Sequence, residues 1–381
     1  MSLRLKTDWV LFGIIVALVC FGLVMVYSAS SVMAEVKLNV SSMHFFVRQL
    51  GWALLSFCFL MYFKRKDYLD LKSPAWAFLS LGAVLVMLIA VYFIDSRTHR
   101  WFRISGIGSI QPSEFAKPAL VLFLAYFMSQ RARSVNDRHA MLQGSLALAV
   151  LALTVVVADL GTAMVLVGTA GVLFYVAGLE RRYLVIAVVL LALFAAIAIA
   201  MKPYRVARII AALDPEYKIL NVIDPKGYIK RYANESITTR DAGYQAWQSR
   251  VAVGSGGPLG LGLMKGRHKN GFLPEAHTDF IYAVVGEETG LWGCTAVLVG
   301  FMIILWRGLR LCWIAGDEFG RYLALGVASS IVIQALINMS VVLDMGPTKG
   351  IPLPMISFGG SSLLSTLMCL GMLMSVSGHT E

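Results

Sequence analysis

The sequence predicts an all-α polytopic membrane protein, and three observations support this fold class. Apolar residues make up 58% of the 381 residues and charged residues only 14%, a balance that soluble domains do not show. The apolar residues occur in runs of about 20, the length of helix that crosses a bilayer. Lysine and arginine concentrate in the short segments between those runs, as they do in membrane proteins.

About ten apolar runs are long enough to be spanning helices. They are residues 9–29, 46–63, 75–94, 113–129, 141–158, 162–178, 182–201, 279–306, 321–343 and 359–376. The first run follows Arg4 and Lys6 and ends in small residues, so a cleaved signal peptide is an alternative interpretation of it. Its full spanning length and the later runs favour a retained anchor, and we expect one integral membrane domain over residues 1–381.

The distribution of lysine and arginine predicts the orientation, because short cytoplasmic segments are enriched in these residues. The segments on the N-terminal side of the predicted membrane hold Arg4, Lys6, Lys64, Arg65, Lys66, Lys72, Arg131, Arg133, Arg138, Arg181, Arg182, Arg307, Arg310 and Arg321. Both termini are therefore expected in the cytoplasm, and residues 202–278 form a large extracytoplasmic loop between the seventh and eighth spans. The net charge of +11 reflects this distribution, so no nucleic-acid site is inferred.

Two common kinds of site find no support in the sequence. The five cysteines lie at spacings that fit neither a disulfide framework nor a metal-binding motif. The glycine run with Gly254 and Gly256 matches neither the dinucleotide fingerprint nor the nucleotide-phosphate loop. These glycines let the backbone approach a ligand or another helix closely, and tight packing explains them at least as well. The basic residues at 265–269 suit a pyrophosphate or a solvated loop face.

The first polar segment on the predicted outer side is Ser96–Lys117. Arg100 and Trp101 suit an interfacial anchor, although the same pair would also hold an anionic headgroup. A helix begins near Glu114, whose carboxylate meets the positive end of the helix dipole. Lys117 lies one turn deeper in an apolar helix, so its charge needs a partner or a wet cavity. A purely structural ion pair is the alternative.

The second polar segment ends the outer loop and enters the eighth span, with His277 and Asp279 at its mouth. Asp279 is a candidate catalytic base, although capping a helix is the common role of such a residue. Glu287 and Glu288 follow two turns deeper, where charge is costly. One of these glutamates is expected to pair with Lys117 across the bundle, which would satisfy both charges.

The third polar segment, Asp344–Ser362, joins the last two spans and contains three prolines, which exclude a regular helix. Irregular backbone near membrane depth occurs only where protein or water surrounds it. This segment is therefore expected to line a cavity shared with the other two. Lys349 suits a phosphate there, with an ordinary loop lysine as the alternative, and Ser361 opens the last span with small residues.

Six segments, in order, resemble the signature segments of the SEDS family, the shape, elongation, division and sporulation proteins of bacteria. They are GSIQPSEFAK, ADLGTA, GYQAWQS, VGSGG, LPEAHTDF with GEE, and GPTKGIPLPMISFGGSS. The resemblance covers essentially the whole chain, and PTKGIPLPMISFGGSS and YSASSVMA resemble the division member more than the elongation member. The departures are Ala158, where proline is frequent, Arg250, where an apolar residue is usual, and Thr289, where leucine is usual.

The resemblance implies a peptidoglycan glycosyltransferase that polymerises lipid II into a growing glycan strand. It places the reaction on the outer face of the bacterial cytoplasmic membrane, at the division septum. It implies a class B penicillin-binding protein, which is a transpeptidase, and other divisome membrane proteins as partners. The essential aspartate of the family corresponds to Asp279. Its loop arginine and tryptophan correspond to Arg100 and Trp101, and its lysine of the fourth span corresponds to Lys117.

The residues fit such a reaction on chemical grounds. Sugar transfer from a lipid diphosphate needs a base near the attacking hydroxyl and positive charge near the departing pyrophosphate. Asp279 is the predicted base. The predicted substrate-binding residues are Arg100, Trp101, Lys117, His277, Lys349 and Ser361. The predicted supporting residues are Glu114, Glu287, Glu288, Gly254 and Gly256.

The sequence requires no cofactor, and a divalent cation, Mg²⁺ or Mn²⁺, bound by Asp279 or a glutamate is an open alternative. Three other functions compete with the division polymerase: a lipid II flippase, an elongation-type polymerase of the same family, and a non-catalytic scaffold for the transpeptidase. A flippase is disfavoured because the charges cluster on one side and paired repeats are not visible. A scaffold would leave Asp279 and the intramembrane glutamates without a purpose.

Overall fold

The computed structural model describes residues 7–95, 98–104, 108–131, 137–183, 185–186, 189, 242–345 and 350–380. The chain forms two compact units, one of Met1–Gly178 with Ala246–Glu381 and one of Leu179–Gln245. Most of the predicted seventh span, most of the predicted outer loop up to residue 241, and Lys349 lie outside the described residues. The three polar segments that are predicted to share a cavity all belong to the first unit.

The described residues are mostly helical. The elements are α1 (Trp9–Leu38), α2 (His44–Arg65), a 3₁₀ turn (Tyr68–Leu71), α3 (Pro74–Ile94), β1 (Phe102–Ile104), β2 (Gly108–Ile110), α4 (Pro112–Gln130), α5 (Arg138–Ala158), α6 (Leu160–Val176), α7 (Ala242–Ser255), α8 (Ile281–Ile314), α9 (Glu318–Val342) and α10 (Gly360–Thr380). Each predicted span other than 182–201 coincides with one of these helices. Six of them, α1, α2, α3, α8, α9 and α10, are long and apolar enough to cross a membrane. The fold is therefore that of a multi-pass membrane protein, and the count of ten spans stays a prediction.

Several helices begin at a side chain that accepts hydrogen bonds from the free amides of the first turn, as N-cap residues do. The capping residues are Asp8 for α1, Ser73 for α3, Asp159 for α6 and Asp317 for α9. Asp8 also forms a buried ion pair with Arg307 of α8, whose Nε lies 2.6 Å from Asp8 Oδ2. Because an unpaired charge at that depth is costly, this pair fixes α1 against α8.

The centre of the bundle is formed by α9 and α10. In their most apolar stretches 78% and 83% of the residues are buried, against 22–39% in the other spanning helices. Small residues allow close helix contacts, as at Gly308 against Ala328 and Gly326 against Val121. The outer helices expose large apolar side chains such as Phe93 and Trp313, which is the surface expected of helices that face lipid.

Helix α8 is interrupted at Gly290, where the backbone has φ 67° and ψ −162°. The carbonyls of Glu287 and Glu288 accept hydrogen bonds from the amides of Leu261 and Gly262, at 3.0 Å each. In return, the amide of Leu291 donates to the Gly257 carbonyl at 3.0 Å. The loop after α7 thus supplies the hydrogen bonds that the interrupted helix lacks, as membrane proteins require where a helix breaks.

This loop approaches α8 so closely that only glycine fits at some positions. A Cβ added at Gly256 would overlap the carbonyl oxygen of Gly286, whereas a Cβ at Gly254 would meet nothing within 4 Å. Gly256 therefore has the packing role that the sequence left open for the glycine run. Gly254, on an exposed position of α7, has no such requirement.

We expect Gly256→Ala to destabilise the protein and Gly254→Ala to leave it as stable or slightly more stable. The first change forces the loop away from α8, and overpacking of this kind costs about 1–3 kcal/mol. The second replaces a helical glycine with a better helix former. Thermal unfolding of the purified variants in detergent checks the comparison. Equal midpoints for the two variants would show that the close approach at Gly256 is not needed.

Candidate active site

Two non-helical segments meet at the end of the bundle where α8 and α10 begin. Residues 350–359, the described part of the predicted irregular segment, contain no helix. Their backbone is held by amide side chains of α9. Asn338 Nδ2 donates to the carbonyl oxygens of Ile351, at 2.7 Å, and of Asp279, at 2.8 Å. Gln334 Nε2 donates to the carbonyl oxygen of Pro352 at 2.8 Å.

The two segments also bind each other and α2. Ser357 Oγ donates to the carbonyl oxygen of Thr278 at 2.6 Å, and the amide of Phe358 donates to the carbonyl oxygen of His277 at 2.9 Å. From α2, Gln49 Nε2 donates to the Ser357 carbonyl and Gln49 Oε1 accepts from an amide of the same segment, both at 3.2 Å. Irregular backbone is thus satisfied by protein groups, which fixes the position of the residues that it carries.

Asp279 lies in this framework just before α8. It does not cap the helix: the N-cap position belongs to Phe280, and no side chain caps α8. The carboxylate lies against Gly350, where an added Cβ would overlap it. Within the described part of the chain, no group donates a hydrogen bond to this carboxylate.

The surroundings of Asp279 raise its pKa to about 6. Burial is the largest cause, because a desolvated carboxylate is harder to ionise. The negative charges of Glu275 and Asp159 act in the same direction, and the positive charge of Arg100 opposes them. A carboxylate with this pKa is mostly ionised at neutral pH and is a stronger base than an exposed aspartate.

Arg100 is held near Asp279 by Asp159. Arg100 Nη2 donates to Asp159 Oδ2 at 3.0 Å, and the same oxygen accepts from Gln111 Nε2 at 2.9 Å. Asp159 Oδ1 caps α6 through the amides of its first turn. The Nε of Arg100 is buried and has no hydrogen-bond partner among the described residues. A buried unpartnered donor of a charged group is costly unless a ligand completes it.

Asp159 is a member of the site that the sequence did not single out, although it lies within the ADLGTA segment. Its position between two apolar helices was the available signal, because an aspartate there must be capped, paired or hydrated. Ser361 joins the same network: its Oγ accepts from the amide of Gln111 at 3.3 Å. The predicted residues Arg100, Ser361 and Asp279 are thus brought to one region.

Lys117 is buried in α4 and does not pair with Glu287 or Glu288, so that predicted pairing is wrong. Its Nζ lies 2.7 Å from Glu114 Oε2 and 2.5 Å from Gln334 Oε1. The reason is proximity on one helix face, because Glu114 lies three residues earlier in the first turn. Through Gln334 this pair connects α4 to the segment 350–359.

Glu287 and Glu288 bind the loop that follows α7. Glu287 Oε1 accepts from the amide of Arg267 at 2.6 Å and contacts His268 Nδ1 at 2.9 Å. Glu288 Oε1 accepts from Lys269 Nζ at 2.6 Å, and Ser28 of α1 donates to the same oxygen at 2.7 Å. Both glutamates therefore have partners in this loop. His268 and Lys269 bind these glutamates, so their charges are not free to bind a pyrophosphate.

His277 and Trp101 have different surroundings. His277 is buried between the rings of Phe45 and Phe358, with ring centroids 4.8 Å and 5.7 Å away. Burial lowers the pKa of His277, so this imidazole is neutral and is packed rather than charged. Trp101 lines an open cavity of about 370 Å³ with Arg48, Arg103 and Ser109.

The fold and this site define a multi-pass membrane protein with a half-buried carboxylate and an incompletely bonded arginine at one end of its helix bundle. The chain belongs to the FtsW/RodA/SpoVE family, whose model is described as "Cell cycle protein" and matches residues 8–381. This is the family that the sequence motifs indicated.

Relatives are similar to the chain over nearly its full length. A "Probable peptidoglycan glycosyltransferase FtsW" of Geobacter metallireducens is 38% identical, over 98% of this chain and 95% of the relative. The "Stage V sporulation protein E" of Bacillus subtilis is 36% identical, over 99% of each chain.

Solved structures share the fold. One, described as "Structural coordination of polymerization and crosslinking by a peptidoglycan synthase complex", has a TM-score of 0.75 and 25% identity, over 99% of each chain. The rod shape determining protein RodA of Thermus thermophilus has a TM-score of 0.66 and 23% identity, over 99% of this chain and 98% of that chain.

We expect Asp279→Asn to raise the unfolding temperature at pH 8 relative to the native chain and to leave it unchanged near pH 3. The folded-state pKa of about 6 exceeds the unfolded value, so the ionised carboxylate destabilises the fold as the pH rises through 6. Below the unfolded pKa both states are protonated and the difference vanishes. Thermal unfolding of the native and Asp279→Asn proteins at the two pH values measures this difference in unfolding temperature.

Glu35→Gln is the matched control, because it makes the same acid-to-amide change at an exposed carboxylate on α1. The interpretation of Asp279 would be wrong if its substitution changed the midpoint equally at both pH values.

Proposed function

We propose that this protein is a peptidoglycan glycosyltransferase of cell division, which polymerises lipid II into glycan strands. Membership of the FtsW/RodA/SpoVE family supports the proposal. Relatives that are 38% identical carry the name peptidoglycan glycosyltransferase FtsW, which favours the division role over the elongation role. The observation that carries the mechanism is the half-buried Asp279 carboxylate, free of hydrogen bonds within the described residues and with its pKa raised to about 6.

In the proposed reaction, Asp279 accepts the proton of the sugar 4-hydroxyl as the oxygen attacks the anomeric carbon of the other lipid-linked substrate. The new glycosidic bond forms while the bond from that carbon to the pyrophosphate oxygen breaks. The electron pair leaves with the lipid pyrophosphate, which then carries the additional negative charge. A second carboxylic acid is not needed to protonate the leaving group, unlike in glycoside hydrolysis.

The leaving pyrophosphate requires positive charge and hydrogen-bond donors. Arg100 suits this role because Asp159 holds it by one guanidinium nitrogen, and its buried Nε is left without a partner within the described residues. The charge of Lys117 is largely compensated by Glu114 at 2.7 Å, so we assign Lys117 to positioning the segment 350–359 through Gln334. Trp101, His277 and Ser361 remain proposed contacts of the substrate, and Lys349 remains a prediction.

A divalent cation is not built into this mechanism. Among the residues that the structure describes, no three metal-ligating side chains converge on one point. Magnesium sites usually combine one or two carboxylates with substrate phosphates, so a dependence on Mg²⁺ or Mn²⁺ is a question for activity measured with and without a chelator.

The membrane placement and partners follow from the same proposal. We infer that both termini are cytoplasmic and that Asp279 faces the outer side of the cytoplasmic membrane, as the distribution of lysine and arginine indicates. The septum is the proposed location. A class B penicillin-binding protein is the proposed partner, supported by the likeness to a chain of a peptidoglycan synthase complex that coordinates polymerization and crosslinking. Other divisome membrane proteins are expected to bind as well.

We expect Asp279→Asn to reduce the polymerisation of purified lipid II by at least about a hundredfold, the usual contribution of a general base. The native rate should rise with pH through about 6 and level off above it, because the carboxylate form is the active one. Gel analysis of glycan strands, made by the protein with its transpeptidase partner, measures both. Strands from both proteins would remove Asp279 from the mechanism. Transfer of lipid II across vesicles without strands would favour a flippase.

We expect Gly350→Ala to reduce the same activity at least tenfold while Gly359→Ala retains most of it. A Cβ at Gly350 would overlap the Asp279 carboxylate and displace it, whereas a Cβ at Gly359 meets Ser362 at an ordinary 3.7 Å. Matched thermal midpoints would show that the loss arises from the site and not from unfolding. Full activity of a folded Gly350→Ala protein would contradict the placement of the carboxylate.

A further inference from the structure

A second cavity lies on α2, away from the candidate active site. It has a volume of about 680 Å³, is open, and is lined by Cys58, Met61, Tyr62, Arg65 and Lys66. This volume is within the range of about 300–1,000 Å³ typical of small-ligand sites. Gln49 of α2 contacts the active-site framework, and 16 residues of helix separate it from Arg65, about 24 Å at 1.5 Å per residue. The cavity is therefore not part of the site around Asp279.

The residues that line this cavity form one amphipathic face. Their spacing of three and four residues places them on one side of α2. The first three are apolar or aromatic, and the last two, at the C-terminal end of the helix, are basic. An occupant must therefore be apolar along one part and negatively charged at the other.

The surface next to this cavity is of the kind that faces lipid. The neighbouring outward side chains of α2 are exposed and apolar, with 62% exposure of Leu54 and 37% of Phe59. Trp76, at the start of α3, is 40% exposed, and its ring lies 4.4 Å from Lys66 Nζ. Aromatic and basic residues grouped in this way mark the depth of lipid headgroups. These surroundings favour an occupant that is itself a component of the membrane.

The two cations at this end lack acidic partners within the described parts of the chain. Neither the guanidinium of Arg65 nor the ammonium of Lys66 is in an ion pair there, and the adjacent Asp67 lies 3.5 Å from His379 Nε2. The C-terminal dipole of α2 contributes only about half a negative charge. Two full positive charges outweigh it, so the local field favours an anion.

We propose that this cavity binds one anionic phospholipid of the membrane leaflet opposite the candidate active site. Its phosphate lies between Arg65 and Lys66, and one acyl chain follows the apolar face formed by Cys58, Met61 and Tyr62. A phosphodiester suits the site because a guanidinium and an ammonium both donate to phosphate oxygens. This site is separate from the one proposed for lipid II and does not depend on the glycosyltransferase function.

Retention of lipid by the purified protein tests the proposal. The full chain is placed in vesicles of phosphatidylcholine with phosphatidylglycerol, extracted, and examined by native mass spectrometry. We expect the native protein to retain one phosphatidylglycerol, and the double variant Arg65→Gln/Lys66→Gln to bind it at least about tenfold more weakly, since each basic residue near an anionic surface contributes to the affinity.

The matched control is Arg181→Gln/Arg182→Gln, a second adjacent pair of exposed basic residues, which should retain the lipid as the native protein does. Equal retention by the two variants would overturn the proposal and indicate only general contact with bulk lipid. Equal thermal midpoints of the variants in phosphatidylcholine alone ensure that a loss of lipid is not a loss of fold.

Short-chain lipids test the contribution of the headgroup separately from that of the acyl chain. Dihexanoyl phosphatidylglycerol should stabilise the native protein against heat more than dihexanoyl phosphatidylcholine, and this difference should disappear in Arg65→Gln/Lys66→Gln. Stabilisation by inorganic phosphate alone, to the same extent, would contradict the lipid assignment and leave a plain anion site.

Discussion

The need to satisfy backbone hydrogen bonds without water is the constraint on which the candidate site depends. Residues 350–359 and the residues before α8 are not helical, and at membrane depth each free carbonyl and amide must find a protein partner. Asn338 meets this need for both segments at once, because its two amide hydrogens bind the carbonyl oxygens of Asp279 and Ile351. One side chain therefore sets the distance between the base and the segment that faces it.

The electrostatics of the site follow from the same framework. Asp279 is enclosed by backbone and by Gly350, and burial raises its pKa. Arg100 is nearby but is directed by Asp159, so its charge reduces the shift without forming a direct pair with the base. A direct ion pair would hold the carboxylate in its ionised form and weaken it as a base. The intermediate Asp159 thus keeps Arg100 from pairing directly with Asp279 within the described residues.

Six of the predicted spans correspond to helices long and apolar enough to cross a membrane, and they were predictable because hydrophobic runs of bilayer length have few alternatives. Asp279 and Arg100 could also be singled out as candidates from the sequence, since ionisable residues beside apolar spans are costly without a partner or a function. The partner of Lys117 was not predictable in the same way, because three carboxylates, those of Glu114, Glu287 and Glu288, lie at different distances from it along the chain. Lys117 pairs with the nearest of them, Glu114, because residues three apart on a helix lie on the same face. The contribution of Asn338 was missed because an uncharged amide in an apolar helix gives a weak signal.

The interruption at Gly290 divides α8 into two parts that have different bonding partners. The short part, Ile281–Thr289, is bonded through its backbone to the loop after α7, while the longer part packs along α1 and α9. In a continuous helix each amide donates to the carbonyl four residues earlier. At Gly290 bonds to the loop replace this pattern. The position of Asp279, which directly precedes the short part, therefore depends on the attachment of that part to the loop after α7.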